Sequence, residues 1–184
     1  MKRTPFSDWP CSVARTVDFL GDWWTPLVLR EAFLGATRFD EFQTALSIGR
    51  NVLTQRLNRL VDEGLLVREK YQDRPPRFDY HLTDKGLDFF DVIAALLRWG
   101  DRWLDAGAGP PLLMRHKCCG QIILPKTICS CCGEPLVSAD VEHYPGPGMA
   151  TDVARRFRER AKLRLAKTRP SDPHPSLSHK EDGA

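Results

Sequence analysis

The stretch that most narrows the choice of fold runs from residue 47 to residue 67, Ser-Ile-Gly-Arg-Asn-Val-Leu-Thr-Gln-Arg-Leu-Asn-Arg-Leu-Val-Asp-Glu-Gly-Leu-Leu-Val. Leu53, Leu57, Leu60 and Val61 fall at i, i+4, i+7 and i+8, the spacing that places them on one face of an α-helix. At about 100° per residue, the opposite side carries Asn51, Gln55, Asn58 and Arg59, with Thr54 and Arg56 on its flanks. Gly49 serves as N-cap, Ile48 can fold back on Leu53 as a hydrophobic staple, and Gly64 suits the left-handed residue that ends the helix. Between Arg50 and Leu60 there are three arginines and no acid. Arg, Asn, Gln and Thr are the side chains that meet guanine, adenine and the thymine methyl in a major groove wide enough for one helix. Two readings are open at this point: a helix that reads base edges, or an ordinary surface helix with a solvated polar side.

The flanking segments choose between them. Val13, Val17 and Leu20 repeat at helical spacing after Pro10, and Gly21 stops the run. A second helical pattern spans Thr25 to Leu34 with Leu27, Val28 and Phe33 apolar, and a third, short helix holds Phe39, Phe42 and Leu46 behind a cap in residues 37–40. The turn Ser47-Ile48-Gly49 then joins this third helix to the fourth, which is a helix-turn-helix unit. After Gly64 the pattern becomes strand-like, over residues 65–71 and 77–82, and the intervening Gln72-Asp73-Arg74-Pro75-Pro76 cannot pair in a ladder because of its prolines. A helix-turn-helix followed by such a hairpin is a winged helix, whose basic tip puts Arg74 and Arg77 on phosphate or in a narrow minor groove. A solvated hairpin tip is the plainer alternative. Residues 83 to about 104 form one long predicted helix, in which Phe89, Phe90, Ile93, Leu96, Leu97, Trp99, Trp103 and Leu104 cover more than one stripe. So wide an apolar arc needs partners on several sides, either within the domain or from a second copy, and a symmetric dimer would set two recognition helices roughly 34 Å apart.

Charge adds a limit. The 184 residues carry a net charge of only +3, so a nucleic-acid footprint has to come from local clustering. No run of 18 apolar residues occurs and residues 1–10 hold no signal-peptide core, which predicts a cytoplasmic protein without membrane contact. In that compartment six cysteines point to metal ligands or reactive thiols before a disulfide framework.

Residues 11 to about 107 resemble the HxlR family of bacterial winged-helix transcriptional regulators, relatives of the MarR group. The matching pieces are Cys-Ser-Val-Ala-Arg at 11–15, Gly21 with Trp24-Thr25, Leu-Val-Leu-Arg at 27–30, Arg38-Phe39-Asp40-Glu41-Phe42, Leu53-Thr54-Gln55-Arg56-Leu57, Glu63-Gly64-Leu65, Pro75-Pro76-Arg77, Tyr80 with Leu82-Thr83, and Gly86. The resemblance implies a dimeric DNA-binding repressor or activator with the helix from residue 83 in the dimer interface. The chain departs from the family at Trp23, where a basic residue is usual, and at Gly49-Arg50, often Ser-Pro, which bears on operator sequence more than on DNA binding itself. Some HxlR-like regulators use the cysteine matching Cys11 as a redox or quinone sensor. Here Cys11 sits at a predicted helix N-terminus with Arg15 one turn on, both of which favour thiolate; a small packing residue is the alternative.

Beyond a linker at 106–111 the chain changes character. His116-Lys117-Cys118-Cys119-Gly120 and Cys129-Ser130-Cys131-Cys132-Gly133 each hold a ligand pair three positions apart followed by glycine, the pattern of zinc-ribbon knuckles. His116, Cys119, Cys129 and Cys132 complete a four-coordinate set, with Cys118 and Cys131 as spare or substitute ligands. A closed set predicts structural zinc, against a reduced thiol cluster or a disulfide switch, and the deaminase pattern is absent. After a break at Pro145-Gly146-Pro147-Gly148, residues 153–169 present eight basic side chains against the single acid Glu159, either extra phosphate contacts or a solvated tail, and Pro170 to Ala184 reads as disordered.

The fold expected is α+β, mainly α: a winged helix-turn-helix domain over 11–107 with a long dimerisation helix, a small zinc-ribbon-like module over 112–144, and a basic helix and tail over 150–184. The function expected is a transcriptional regulator, more often a repressor in such an arrangement, acting as a homodimer on a palindromic operator in double-stranded DNA. Arg50, Asn51, Thr54, Gln55 and Arg59 would meet bases and Arg74 and Arg77 the backbone, under an unidentified small-molecule or redox effector. The alternative is a winged-helix and zinc-ribbon adaptor that binds proteins. No nucleophile with a base, open metal site or phosphate loop suggests an enzyme.

Overall fold

Four helices and a hairpin follow in the order the periodicity predicts, and the segment after the hairpin is helical as well. The structure, a computed structural model, describes residues 5–6, 8–104, 106–107 and 109–167. They comprise α1 (Ser12–Leu20), α2 (Trp24–Phe33), α3 (Phe39–Leu46), α4 (Arg50–Asp62), the strands β1 (Leu66–Gln72) and β2 (Arg77–Leu82), then α5 (Asp84–Asp88) and α6 (Phe90–Trp103). A two-residue pair, β3 (Met114–Arg115) with β4 (Ile122–Ile123), follows, and α7 (Thr151–Lys167) comes last. Mainly helical with a small antiparallel sheet, this is a winged helix-turn-helix architecture.

The apolar faces converge on one core. Val28 and Leu29 of α2, Phe42 of α3, and Leu53, Leu57 and Leu60 of α4 lose all solvent contact, with Ile48, Leu65, Leu66 and Tyr80 closing the cluster. Burying a side chain of this size stabilises by roughly 1.5–3 kcal/mol, so these positions carry most of the fold. Ile48 joins the core from the turn before α4, where the staple was expected.

Caps fix the helix ends. Gly21, at φ 69°, ends α1 as expected. Asp22 then does more than its place in a loop suggests: its carboxylate accepts from the backbone N–H of Trp24 and Thr25, at 2.8 and 3.2 Å, and pairs with Arg56 Nε of α4 at 2.8 Å. One half-buried side chain therefore caps α2 and ties it to α4. At the start of α3 the Glu41 carboxylate accepts from the N–H groups of Thr37 and Arg38, at 2.8 and 2.9 Å. Those two donors hold its carboxyl below the ordinary glutamate range, Arg38 being the larger cause.

The wing is antiparallel, with Leu66 opposite Leu82, Arg68 opposite Tyr80 and Lys70 opposite Phe78. Gln72 pairs with Arg77, so the unpaired tip is residues 73–76, one shorter than expected. The hairpin is docked on the helices by the Tyr80 N–H, which donates to the Thr37 carbonyl at 2.8 Å, and by a bridge between Arg38 and Asp79.

The predicted continuous helix from residue 83 is instead two helices. Thr83 caps α5 through Gly86 N–H and donates its own hydroxyl to the Gly64 carbonyl at 2.7 Å, which seats α5 against the end of α4. Gly86 lies so near the Leu65 carbonyl that a Cβ there would sit 2.2 Å from its oxygen. With the first turn anchored in this way, the backbone tightens at Phe89, whose N–H donates to Gly86 rather than to Lys85, and α6 sets off afresh.

The chain divides between Leu136 and Val137, so residues 137–144, expected in the cysteine module, fall in the second unit. That unit holds a single 3-10 turn at Ser138–Asp140 and α7, whose Arg155, Arg156, Arg158 and Arg160 are exposed. Arg169 and the tail expected to be disordered, 170–184, lie outside the described residues. No described helix is long and apolar enough to cross a membrane.

Candidate nucleic-acid interface

Placing α4 across the wing creates a groove of about 480 Å³. Arg50, Thr54 and Asn58 line it from α4, and Arg68, Tyr71 and Arg77 from the hairpin, with Asp40 as the one carboxylate. Three arginines against one acid make the groove cationic although the whole chain is nearly balanced.

Of the residues expected to read bases, four stand on the open side of α4. Arg50, in its first turn, has its guanidinium carbon 5.1 Å from the centre of the Phe39 ring, a cation–π contact that orients it at the helix N-terminus, where anions are favoured. Asn51 and Gln55 are exposed and make no hydrogen bond among the described residues, which leaves both amides available for bidentate pairing. Thr54 is exposed, but its hydroxyl proton goes to the Arg50 carbonyl at 2.9 Å. It offers an acceptor lone pair and a methyl group, not a donor.

Arg59 does not join them. Its Nη2 donates to the Asp18 carbonyl of α1 at 3.0 Å, and the guanidinium lies 5.9 Å from the Phe19 ring. It is half-buried and ties α4 to α1, so in this structure it stands apart from the other four expected base readers. The helical wheel puts it on the polar side, but in the last turn of α4 that side lies within reach of α1. On the wing, Arg77 lines the groove and Arg74 is exposed at the tip.

Two arginines escaped the sequence reading. Arg68 stacks 4.5 Å from the Phe78 ring and lines the groove, and Arg38 sits 5.1 Å from the Tyr71 ring while its Nε reaches Asp79 at 3.5 Å. For Arg68 the available signal was a cation on β1 facing the aromatics of β2, Phe78 and Tyr80; Arg38, at the start of α3, comes near the wing only through the tertiary fold.

Elsewhere, Cys11 is the N-cap of α1, exposed, with its sulfur accepting from Ala14 N–H at 3.5 Å. Arg15 turns away from it and donates to Ser12 Oγ at 3.2 Å. In the cysteine module, His116 Nδ1 and Cys119 Sγ stand 3.4 Å apart. The Cys129 thiol receives the backbone N–H groups of Cys132 and Cys131 and the Cys132 side chain, which lower its pKa, Cys132 N–H most. Among the described residues, no three His, Cys, Asp or Glu side chains cluster closely enough to hold a metal ion as they stand.

Large apolar side chains of α6 meet solvent, with Leu96, Trp99 and Trp103 all more than half exposed beside the exposed Asp91, Arg98 and Arg102. Beside them runs an apolar groove of about 740 Å³ between α2 and α6, floored by Leu27, Ile93 and Leu97.

Comparison with known proteins gives a consistent result. Residues 19–108 match the family described as HxlR-like helix-turn-helix. An uncharacterized HTH-type transcriptional regulator of Mycobacterium tuberculosis, Rv3095, is 42% identical over 143 residues, covering 78% of this chain and 90% of that protein. An alignment of that length within 184 residues necessarily takes in the cysteine module. Two solved structures described as transcription factors are also similar. PA1607 has a TM-score of 0.68 at 32% identity, with 77% of this chain and 99% of that one covered. PA1374 of Pseudomonas aeruginosa has a TM-score of 0.57 at 35% identity, with 79% and 99% covered.

Proposed function

The chain belongs to the HxlR-like helix-turn-helix family, a transcriptional regulator and not an enzyme, and from that premise we propose that it binds double-stranded DNA as a homodimer on a palindromic operator. The observation that carries this reading is the cationic groove, in which Arg50, Thr54 and Asn58 of α4 come together with Arg68 and Arg77 of the wing, while Asn51 and Gln55 are exposed on the same helix outside the groove lining. Arg50, Asn51 and Gln55 supply base contacts of about 1–3 kcal/mol each, and Arg68, Arg74 and Arg77 neutralise phosphates. The second copy docks on the apolar side chains of α6, where Leu96, Trp99 and Trp103 are each more than half exposed. Repression follows if the operator overlaps a promoter. A small molecule in the α2–α6 groove or oxidation of the exposed Cys11 would be the controlling signal.

The test is selection of duplexes from a random library, followed by titration over a salt series. Wild type should recover an inverted repeat. Arg50→Ala with Gln55→Ala should lose the preference for it, and Arg77→Ala should weaken all sequences alike and flatten the salt dependence by about one unit of slope. Arg59→Ala should leave the selected sequence unchanged. Failure of the dimeric, metal-replete protein to select any duplex would overturn the proposal in favour of a protein-binding adaptor.

A further inference from the structure

The two cysteine-rich turns are built alike, although nothing apolar forces them to be. In the first, His116 N–H donates to the Gln121 carbonyl at 2.9 Å and Gly120 N–H to the His116 carbonyl at 2.8 Å. In the second, Cys129 N–H donates to the Glu134 carbonyl at 2.7 Å and Gly133 N–H to the Cys129 carbonyl at 2.9 Å. Each turn closes on a glycine in the left-handed region, at φ 72° and 78°. Each is also flanked by antiparallel pairing, β3 with β4 around the first and Ile128 with Pro135 around the second.

This repeated geometry selects the ligands. In the first turn the side chain at the first position is met by the one three residues on, Cys119 against His116, and Cys129 and Cys132 hold the same two places in the second turn. A thiolate sulfur and an imidazole nitrogen on one tetrahedral zinc, with bonds of about 2.3 and 2.05 Å, stand about 3.5 Å apart. The observed separation of His116 Nδ1 and Cys119 Sγ, 3.4 Å, is that spacing. The remaining cysteines, Cys118 and Cys131, occupy the same place in each turn, one residue before the ligand thiol, and are exposed as Cys119 and Cys132 are.

A second observation is energetic. No side chain between Leu112 and Leu136 is buried, and Ile122, Leu124 and Ile128 are each more than half exposed. A segment this short without a core does not hold a fixed shape in water unless a cross-link supplies the missing free energy. We propose that His116 Nδ1 and the sulfurs of Cys119, Cys129 and Cys132 bind one zinc ion, in a closed structural site that folds residues 114–136. Each turn supplies its own two ligands, and because the two pairs do not yet meet as a set of three or more among the described residues, the ion has to draw one turn onto the other as it binds. Three thiols lose their protons to solvent on binding and the imidazole binds neutral, with no change of oxidation state. The site goes beyond the DNA-binding reading and stands or falls without it.

The experiment uses the full chain without a polyhistidine tag, purified from zinc-replete cells, with metal measured by mass spectrometry. One zinc per chain is expected for wild type, Cys118→Ser and Cys131→Ser, and loss to background for Cys119→Ser and Cys132→Ser. Because a serine variant can simply misfold, wild type and His116→Cys are also stripped and titrated with cobalt(II). Both should give the intense visible bands of tetrahedral thiolate-bound cobalt, shifted in His116→Cys by the exchange of nitrogen for sulfur. Chelation should speed tryptic cleavage at Lys117 and Lys126. Wild type with no zinc and no tetrahedral cobalt spectrum, metal lost from the Cys118 or Cys131 variant, or a disulfide among these cysteines in the protein as purified would each overturn the assignment.

Discussion

The winged helix and the cysteine module are adjacent parts of one chain that solve the folding problem by different physics. In the first, six side chains from three helices are wholly removed from water. In the second, no side chain is buried between residues 112 and 136. A core distributes stability over many contacts, so its signature is periodicity and it tolerates a change at any one surface position. A module without a core concentrates stability in a few groups, so its signature is spacing and a single atom can abolish it. The same contrast separates their roles. The winged helix holds the α4 side chains rigid over a cationic groove, whereas the module needs only to keep its own shape.

The widest expected separation between the two comes from truncating the core. Phe42→Ala should cost about 3–5 kcal/mol in urea or thermal unfolding, because it removes a fully buried ring of the core cluster, packed edge-to-face with Tyr80. Zinc content, measured below the transition, should not change. Chelation in the wild type should do the reverse, loosening residues 114–136 while leaving the main transition near its original midpoint. A shared fall of both on either treatment would show one cooperative unit and erase the contrast.

Much of the first region is legible in sequence for the reason just given. The i, i+4, i+7 spacing of Leu53, Leu57 and Leu60 fixes which face of α4 is buried, and hence that Arg50, Asn51, Thr54 and Gln55 are not. Gly21 and Gly64 stop helices where φ turns positive. What escaped depends on contacts between residues far apart in the chain. Arg59 lies on the polar side of its own helix, yet is claimed by a carbonyl of α1 forty-one positions earlier. The break at Phe89 follows from the closeness of Gly86 to the Leu65 carbonyl, which no local pattern in residues 83–104 announces. In the module, the two pairs could be read from spacing alone, since a pair within one turn is a local feature; the union of the pairs is not.

Asp22 sharpens the comparison at an intermediate scale, because within the core-built region it behaves like a module ligand: one side chain on which several groups depend. Asp22→Ala removes two backbone partners at the start of α2 and leaves Arg56 half-buried without its carboxylate. The expected loss is about 1–2 kcal/mol of stability, read from the urea midpoint. Asp22→Asn retains an oxygen for the cap but not the charge, and should recover part of that loss. If the alanine variant were as stable as wild type, α2 and α4 would be fixed by apolar packing alone and the contrast between the two regions would be starker than drawn here.

The smallest effect expected belongs to Glu41, and its sign follows from proton linkage. Its carboxylate accepts from the backbone N–H of Arg38 and of Thr37, which holds the folded-state pKa below the unfolded one. A group depressed in this way contributes stability above its unfolded pKa, and the contribution is lost as pH falls through the lower, folded value. The side chain is exposed, so water screens the interaction and the effect stays modest. Urea midpoints of wild type and Glu41→Gln should therefore differ most near neutral pH and converge as the pH falls through the lowered folded-state value, where the wild-type carboxyl takes up its proton and resembles the amide. Because α3 leads into the turn before α4, loosening its first turn should also raise hydrogen exchange in residues 39–42 before the buried positions of α4 respond. Curves that stay parallel down to acid pH would mean that the two N–H groups are equally well satisfied by water or by the glutamine oxygen, and that this cap, unlike Asp22, organises nothing beyond itself.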